Sequence, residues 1–223
     1  MARPATDKYQ MGDPPRPEGL PEGTIVSPDT LRENRIPPGQ VRTRKWPVLQ
    51  AGPVLHVPPE RWSLRVYGLV EHPLEWSWEE FLKLPRVRVF SDFHCVTRWS
   101  RLGNLWEGVS TREIARRVSP RPEARFVMVY AVDGWSTNIP LEYFLAEDSL
   151  LAIAHDGEPL SDEHGGPVRL VVPRLYAWKS AKWVSAIEFR AEDAPGFWEK
   201  LGYHMRGDPW KEERYGERAR PWF

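Results

Sequence analysis

Eight of the twelve prolines in the first sixty residues constrain this chain more than any other feature. Pro14, Pro15, Pro17, Pro21, Pro37, Pro38, Pro58 and Pro59 leave no room there for a helix or a central strand. Residues 1–40 therefore read as an extended arm. Residues 41–60 read as a structured loop that docks through Trp46, Val48, Leu49, Val54 and Leu55. The pattern changes from Trp62.

Alternation starts at Trp62, Leu64 and Val66, the period of a half-buried strand. Val87, Val89 and Phe93 alternate in the same way. Phe126–Val132, Leu150–Ala154, Val168–Val172 and Val184–Phe189 read as further strands. Two S-x-x-E capping boxes, Ser77–Glu80 and Ser110–Glu113, predict short helices that Pro85 and Pro120 close. The pattern is a β-rich α+β domain over residues 41–205, followed by an irregular tail at 206–223 that packs on the domain or on a second subunit.

Composition narrows the function classes. Lys and Arg total 31 and Asp and Glu total 31, so the formal charge of zero excludes a basic nucleic-acid glove and an acidic disordered tail. The longest apolar run, Phe126–Val132, is too short to cross a bilayer. A single cysteine, Cys95, excludes an internal disulfide and any multi-cysteine metal site within one chain. The polar start without an apolar stretch, together with the lone cysteine, predicts a cytoplasmic location.

Three segments carry candidate chemistry. Cys95 sits at a strand end in Phe93-His94-Cys95-Val96-Thr97-Arg98-Trp99-Ser100, where His94 and Arg98 are placed to favour thiolate. Asp133-Gly134-Trp135-Ser136 forms a turn whose acid could meet a polar heterocycle or its own backbone. His164-Gly165-Gly166-Pro167-Val168-Arg169 is followed by Tyr176-Ala177-Trp178-Lys179-Ser180-Ala181-Lys182-Trp183. Glycines allow close backbone approach, and Arg169, Lys179, Ser180 and Lys182 are groups suited to a phosphate. Taken singly, these segments read equally well as a buried cysteine, an Asp-Gly turn and a basic edge strand. A thiol enzyme with a histidine base and a non-catalytic module built on the 12 Trp are the competing functional classes.

The order H-C-V-x-x-W-S, D-G-x-S, D-E-H-G-x-P-V-R and K-S-x-K-W resembles the molybdopterin-binding domain of the sulfite oxidase family. The resemblance covers roughly residues 42–203 and is nearest to small bacterial members and to methionine-sulfoxide reductase catalytic subunits. It implies a mixed-sheet α+β fold around one molybdenum-molybdopterin cofactor. It implies Cys95 as the protein ligand of molybdenum. It also implies His94, Asp133, His164, Arg169, Ser180, Ala181 and Lys182 as cofactor contacts, and Arg44, Lys45 and Trp46 as an arm covering the cofactor. Arg98 and Tyr203 fall to the substrate side as catalytic candidates. Val96-Thr97-Arg98-Trp99 stands where sulfite oxidases carry A-G-N-R-R, leaving only Arg98 close to the cysteine. The implied reaction is two-electron oxygen-atom transfer on a small sulfur or nitrogen oxo-compound, either sulfite oxidation or sulfoxide or N-oxide reduction. No C-x-x-C-H haem motif is present, so electrons pass to or from a separate partner. No nucleic acid and no membrane span are expected.

Overall fold

Local chemistry starts several elements where the sequence predicts them. Ser77 accepts the backbone N–H of Glu80, and the Glu80 carboxylate returns to the Ser77 N–H at 2.8 Å, a complete capping box. The second expected box is only half formed. Ser110 caps the N–H of Arg112, while Glu113 turns outward to Arg116 and Arg117. Two arginines one turn on outbid a single backbone N–H for that carboxylate.

The computed structural model describes residues 12–216. The sequence reading of residues 1–11 and 217–223, which includes Pro221 and Trp222 of the tail, lies outside them. In chain order the elements are β1 (Ile25–Val26), β2 (Val41–Thr43), β3 (Ser63–Gly68), β4 (Leu74–Ser77), α1 (Trp78–Leu82), β5 (Val87–His94) and β6 (Trp99–Ser110). Then come α2 (Thr111–Val118), β7 (Phe126–Ala131), β8 (Ser136–Pro140), α3 (Leu141–Phe144) and β9 (Leu150–His155). The chain closes with β10 (Glu158–Pro159), β11 (Arg169–Val171), β12 (Val184–Arg190) and α4 (Phe197–Lys200).

Two mixed sheets result. One runs β1-β5-β6-β9-β10, with β2 pairing β6 and β11 pairing β9. The other runs β4-β3-β12-β7-β8, in which β12 lies parallel to β3 and antiparallel to β7. The proline-rich arm contributes β1, and the start of the following loop contributes β2, each a few residues long and parallel to its neighbour. Short pieces are all that the prolines allow.

The inward faces of the two sheets meet in one apolar core. Leu64, Val66, Val127, Val129 and Ile187 from one sheet pack with Val109, Leu151 and Leu170 from the other, and Phe81, Ile114 and Phe144 close the ends. Each fully buried aliphatic side chain contributes about 1.5–3 kcal/mol. A second cluster, Val89, Phe93, Trp106, Leu150 and Val171, lies on the other face of the first sheet and carries Trp46. It is this second cluster that supports the candidate site. Among the described residues no helix is long and apolar enough to cross a membrane.

Candidate active site

β5 ends at His94, and the chain turns back at once into β6. The turn is closed by Arg98 N–H to the Cys95 carbonyl at 3.0 Å and Cys95 N–H to the Trp99 carbonyl at 2.8 Å. Arg98 adopts a left-handed φ of 74° to complete it. This reversal presents the Cys95 side chain to a pocket of about 260 Å³.

The pocket brings together eight residues predicted from sequence: Trp46, Cys95, Asp133, Arg169, Ser180, Ala181, Lys182 and Tyr203. Arg44 and Lys45 stay exposed and do not line it. His94 is fully buried and faces away, its Nδ1 2.8 Å from Ser100 Oγ. His164 lies one layer back, stacked on Trp46 with ring centroids 3.7 Å apart and planes 5° apart. His155 packs against the same indole at 4.3 Å and is held by Arg101 at 3.0 Å. Arg98 is a correction. Its left-handed backbone turns the guanidinium out to the Gly39 carbonyl, and it does not line the pocket.

The positive charge expected from His94 and Arg98 beside the sulfur is also corrected. Burial pushes the Cys95 thiol up, and Thr97 Oγ1 donates to its sulfur at 3.2 Å. His94, pulled down to about 4 by burial, carries no charge at neutral pH. No histidine among the described residues hydrogen-bonds the sulfur, so the thiol–histidine reading loses its base. Lys179 is a third correction. It lies fully buried, salt-bridged to Glu199 at 2.6 Å, and does not line the pocket. Gly165, read as a site of close ligand approach, instead makes room for Lys182. A Cβ there would fall 2.8 Å from that of Lys182, and its φ is +97°.

The cations that do line the pocket are Arg169 and Lys182. Arg169 is 2% exposed. Its guanidinium donates to the carbonyls of His164 at 2.9 Å and Ser180 at 3.0 Å, among the rings of Trp46, Phe93 and Trp106. Lys182 donates to Gln50 Oε1 at 2.9 Å and to the Glu163 carbonyl at 2.6 Å. Neither pairs with a carboxylate among the described residues. Burial, and for Lys182 the neighbouring Arg169 as well, pulls both below their usual values, Lys182 to about 7. A buried guanidinium beside a half-buried ammonium, neither with a counter-charge, is costly unless an anion joins them. Buried donors without a partner, Trp99 Nε1 and Arg169 Nε, line the same pocket.

Sequence reading missed Thr97, Gln50 and Trp198 as lining residues. Thr97 lies two residues from Cys95 and was legible as a neighbour. Gln50 and Trp198 reach the pocket only through long-range packing. No group of three or more His, Cys, Asp or Glu among the described residues could hold a metal ion.

The histidines make a pH signature. His94, His155 and His164 all sit near 4 in the fold, with burial the leading cause in each. The unfolded chain binds their protons near 6.5, so it is the state that gains protons as pH falls. The cofactor-free protein should lose stability from about pH 6.5 down to about 5, above the range where carboxylates titrate. Urea midpoints across that window test this, and His94→Gln should flatten the slope. A flat wild-type profile would refute the buried-neutral assignment.

Comparison with known proteins places this geometry. The oxidoreductase molybdopterin binding domain family matches residues 51–198. The chain is 51% identical over 185 residues to the uncharacterized oxidoreductase YuiH of Bacillus subtilis, covering 82% of this chain and 93% of that one. It is 31% identical over 172 residues to the protein-methionine-sulfoxide reductase catalytic subunit MsrP of Campylobacter jejuni, spanning 67% of this chain and 58% of that protein. The sulfane dehydrogenase SoxCD from Paracoccus pantotrophus shares the fold, with a TM-score of 0.58 at 23% identity over 62% of this chain and 40% of that one.

Proposed function

The chain belongs to the oxidoreductase molybdopterin binding domain family, the sulfite oxidase type, and from that premise we propose that Cys95 is the protein ligand of molybdenum in an oxygen-atom-transfer enzyme. The observation that carries the reading is the pairing of a lone buried thiol with the buried Arg169 and the half-buried Lys182, neither paired with a carboxylate among the described residues, in one aromatic-walled pocket. A soft thiolate suits a metal already held by dithiolene sulfurs, and one protein ligand then suffices. The anionic end of a pterin suits Arg169 and Lys182.

When bound, the molybdenum-molybdopterin group supplies two-electron oxygen-atom transfer to or from a small sulfur or nitrogen oxo-compound. The chain orients that group and excludes water from it. Arg169 offers its unpartnered Nε, and Lys182 adds a point charge on the Trp183 side. The Ser180 hydroxyl accepts the Val172 N–H at 3.0 Å, which fixes the loop carrying Ala181 and Lys182. Trp46 covers Arg169, 5.4 Å from its guanidinium carbon, and shields it from solvent. Tyr203, whose phenol is pushed up by burial, Tyr215 and Cys95, keeps its proton at neutral pH and serves as a hydrogen-bond donor on the substrate side. A separate electron carrier completes the cycle.

Elemental analysis tests the reading directly. Protein from a host that makes the cofactor should carry about one molybdenum per chain, the stoichiometry of a single thiolate site. No molybdenum from such a host would overturn it.

A further inference from the structure

Two buried side chains that do not line the pocket hold the turn that carries Cys95. Gln40, where the proline-rich arm meets β2, donates through Nε2 to the carbonyls of Cys95 at 3.0 Å and Trp99 at 2.9 Å. Arg214, in the irregular tail, donates through Nη1 to the Val96 carbonyl at 2.7 Å. Its Nη2 reaches Gln40 Oε1 at 2.9 Å and the Pro38 carbonyl at 3.2 Å. Residues 174 positions apart in the chain thus form one unit around the turn. The Arg214 guanidinium also packs 5.0 Å from the Tyr176 ring, and Tyr176 belongs to the apolar cluster that contains Cys95 and Val96.

The turn depends on such support. The Val96 carbonyl accepts no backbone N–H among the described residues, so Arg214 supplies its donor. Arg98 sits at a φ of 74°, which a residue other than glycine keeps only where its surroundings over-determine it. Arginine suits the place because its planar fork offers separate N–H groups to the turn, the arm and Gln40 at once. Its carboxylate neighbour, the exposed Glu212, stays 3.7 Å away, so carbonyls rather than an ion pair set its direction. Gly39 lets the arm come this close. Its φ is +68°, and a Cβ there would fall 3.1 Å from both Arg214 Nη2 and Arg98 Nη1.

We propose that Gln40 and Arg214 are positioning residues that act as one brace and keep the Cys95 sulfur aimed into the pocket. The proposal rests on the reading of Cys95 as the molybdenum ligand, and it gives the arm and the tail a part in the site. Both side chains act through the backbone of residues 95–99. A ligand that must present its sulfur to one metal at one angle needs a turn with a single arrangement, and the groups that fix it govern the metal site from outside.

Alkylation by iodoacetamide of the cofactor-free full chain tests the brace without any metal. Cys95 is the one cysteine of the chain, so the label reports that thiol alone. Gln40→Met and Arg214→Met should each speed alkylation about tenfold, as local opening of the turn exposes the sulfur. The double variant should stay within about twofold of the faster single one, because partners in one unit do not add. The sign separates geometry from charge. Removing a cation near a thiol lowers its thiolate share and slows the reaction, whereas losing a brace speeds it. Gln40→Met changes no charge and decides alone if Arg214→Met does not fold. Val66→Ala, a core change in the other sheet, controls for general loosening and should react within about twofold of wild type. In molybdenum-loaded protein the Mo(V) electron paramagnetic resonance signal should broaden or split in Gln40→Met, as the sulfur no longer keeps one angle to the metal. Unchanged or slower alkylation in Gln40→Met, an equal acceleration in Val66→Ala, a double variant that multiplies the two single effects, or an unaltered Mo(V) signal would each overturn the proposal. Protein that takes up no molybdenum would sink only the ligand reading, and the alkylation rates would still decide the brace.

Discussion

Cys95→Ser is expected to abolish turnover in a protein that still folds. The substitution changes one atom. Cys95 is 7% exposed, and its sulfur makes one hydrogen bond, accepted from Thr97 Oγ1, which a serine oxygen can also accept. The thermal midpoint should therefore move by no more than about 2–4 °C, the equivalent of about 1 kcal/mol in a chain of this size. The metal chemistry has no such tolerance. A serine hydroxyl is a hard, weakly acidic donor in place of a soft thiolate. The loss should exceed the factor of about 10–100 typical of removing a group that merely supports a metal ligand. Pterin should be partly retained, because Arg169 and Lys182 are untouched. Activity, molybdenum content and thermal midpoint measured on one preparation separate the cases. Full activity with the metal in place would refute Cys95 as ligand.

Much of this was legible in the residues. Alternation located β3 and β5, and apolar runs of strand length located β7, β9, β11 and β12, each within a residue or two. The twelve-residue β6 was not legible. It alternates in burial, yet the inward positions include Ser100, Asn104 and Gly108. Those polar groups are satisfied by distant partners: Ser100 by His94 and Gln40, and Asn104 by the Ser91 carbonyl. A polar residue on the core face reads as a surface residue until its partner is known. The site divides in the same way. Cys95, Arg169 and Lys182 stand in local motifs. The stacking of Trp46 on His164, 118 positions later in the chain, and the outward turn of Arg98 are long-range and backbone effects that no local pattern records.

Lys179 is the sharpest case of this, and Lys179→Met is expected to be among the most destabilising single changes in the chain. In sequence it belongs to a basic run. In the fold its ammonium is fully buried, 2.6 Å from the equally buried Glu199. It also donates to Asn138 Oδ1 and the Asn138 carbonyl at 2.8 Å, and to the Met205 carbonyl at 2.6 Å. Glu199 in turn holds Trp178 Nε1 and Thr137 Oγ1. Removing one partner of a buried pair leaves the other charge uncompensated, which costs about 3–5 kcal/mol. At roughly 2–4 °C per kcal/mol, the thermal midpoint should fall by about 6–20 °C. The sign of the pH dependence identifies the cause. Without its cation, buried Glu199 should titrate above the ordinary carboxylate value, so the folded state binds a proton that the unfolded state has released. The deficit is then greatest at neutral pH and shrinks on acidification towards about 4.3. Adding Glu199→Gln removes the stranded charge but keeps an acceptor for Trp178, and should restore much of the loss. Thermal midpoints of the single and double variants at pH 5 and pH 7.5 check the account. A single variant within about 1 kcal/mol of wild type, or a double variant no better than the single, would show that the pair does not anchor Trp178 beside Cys95.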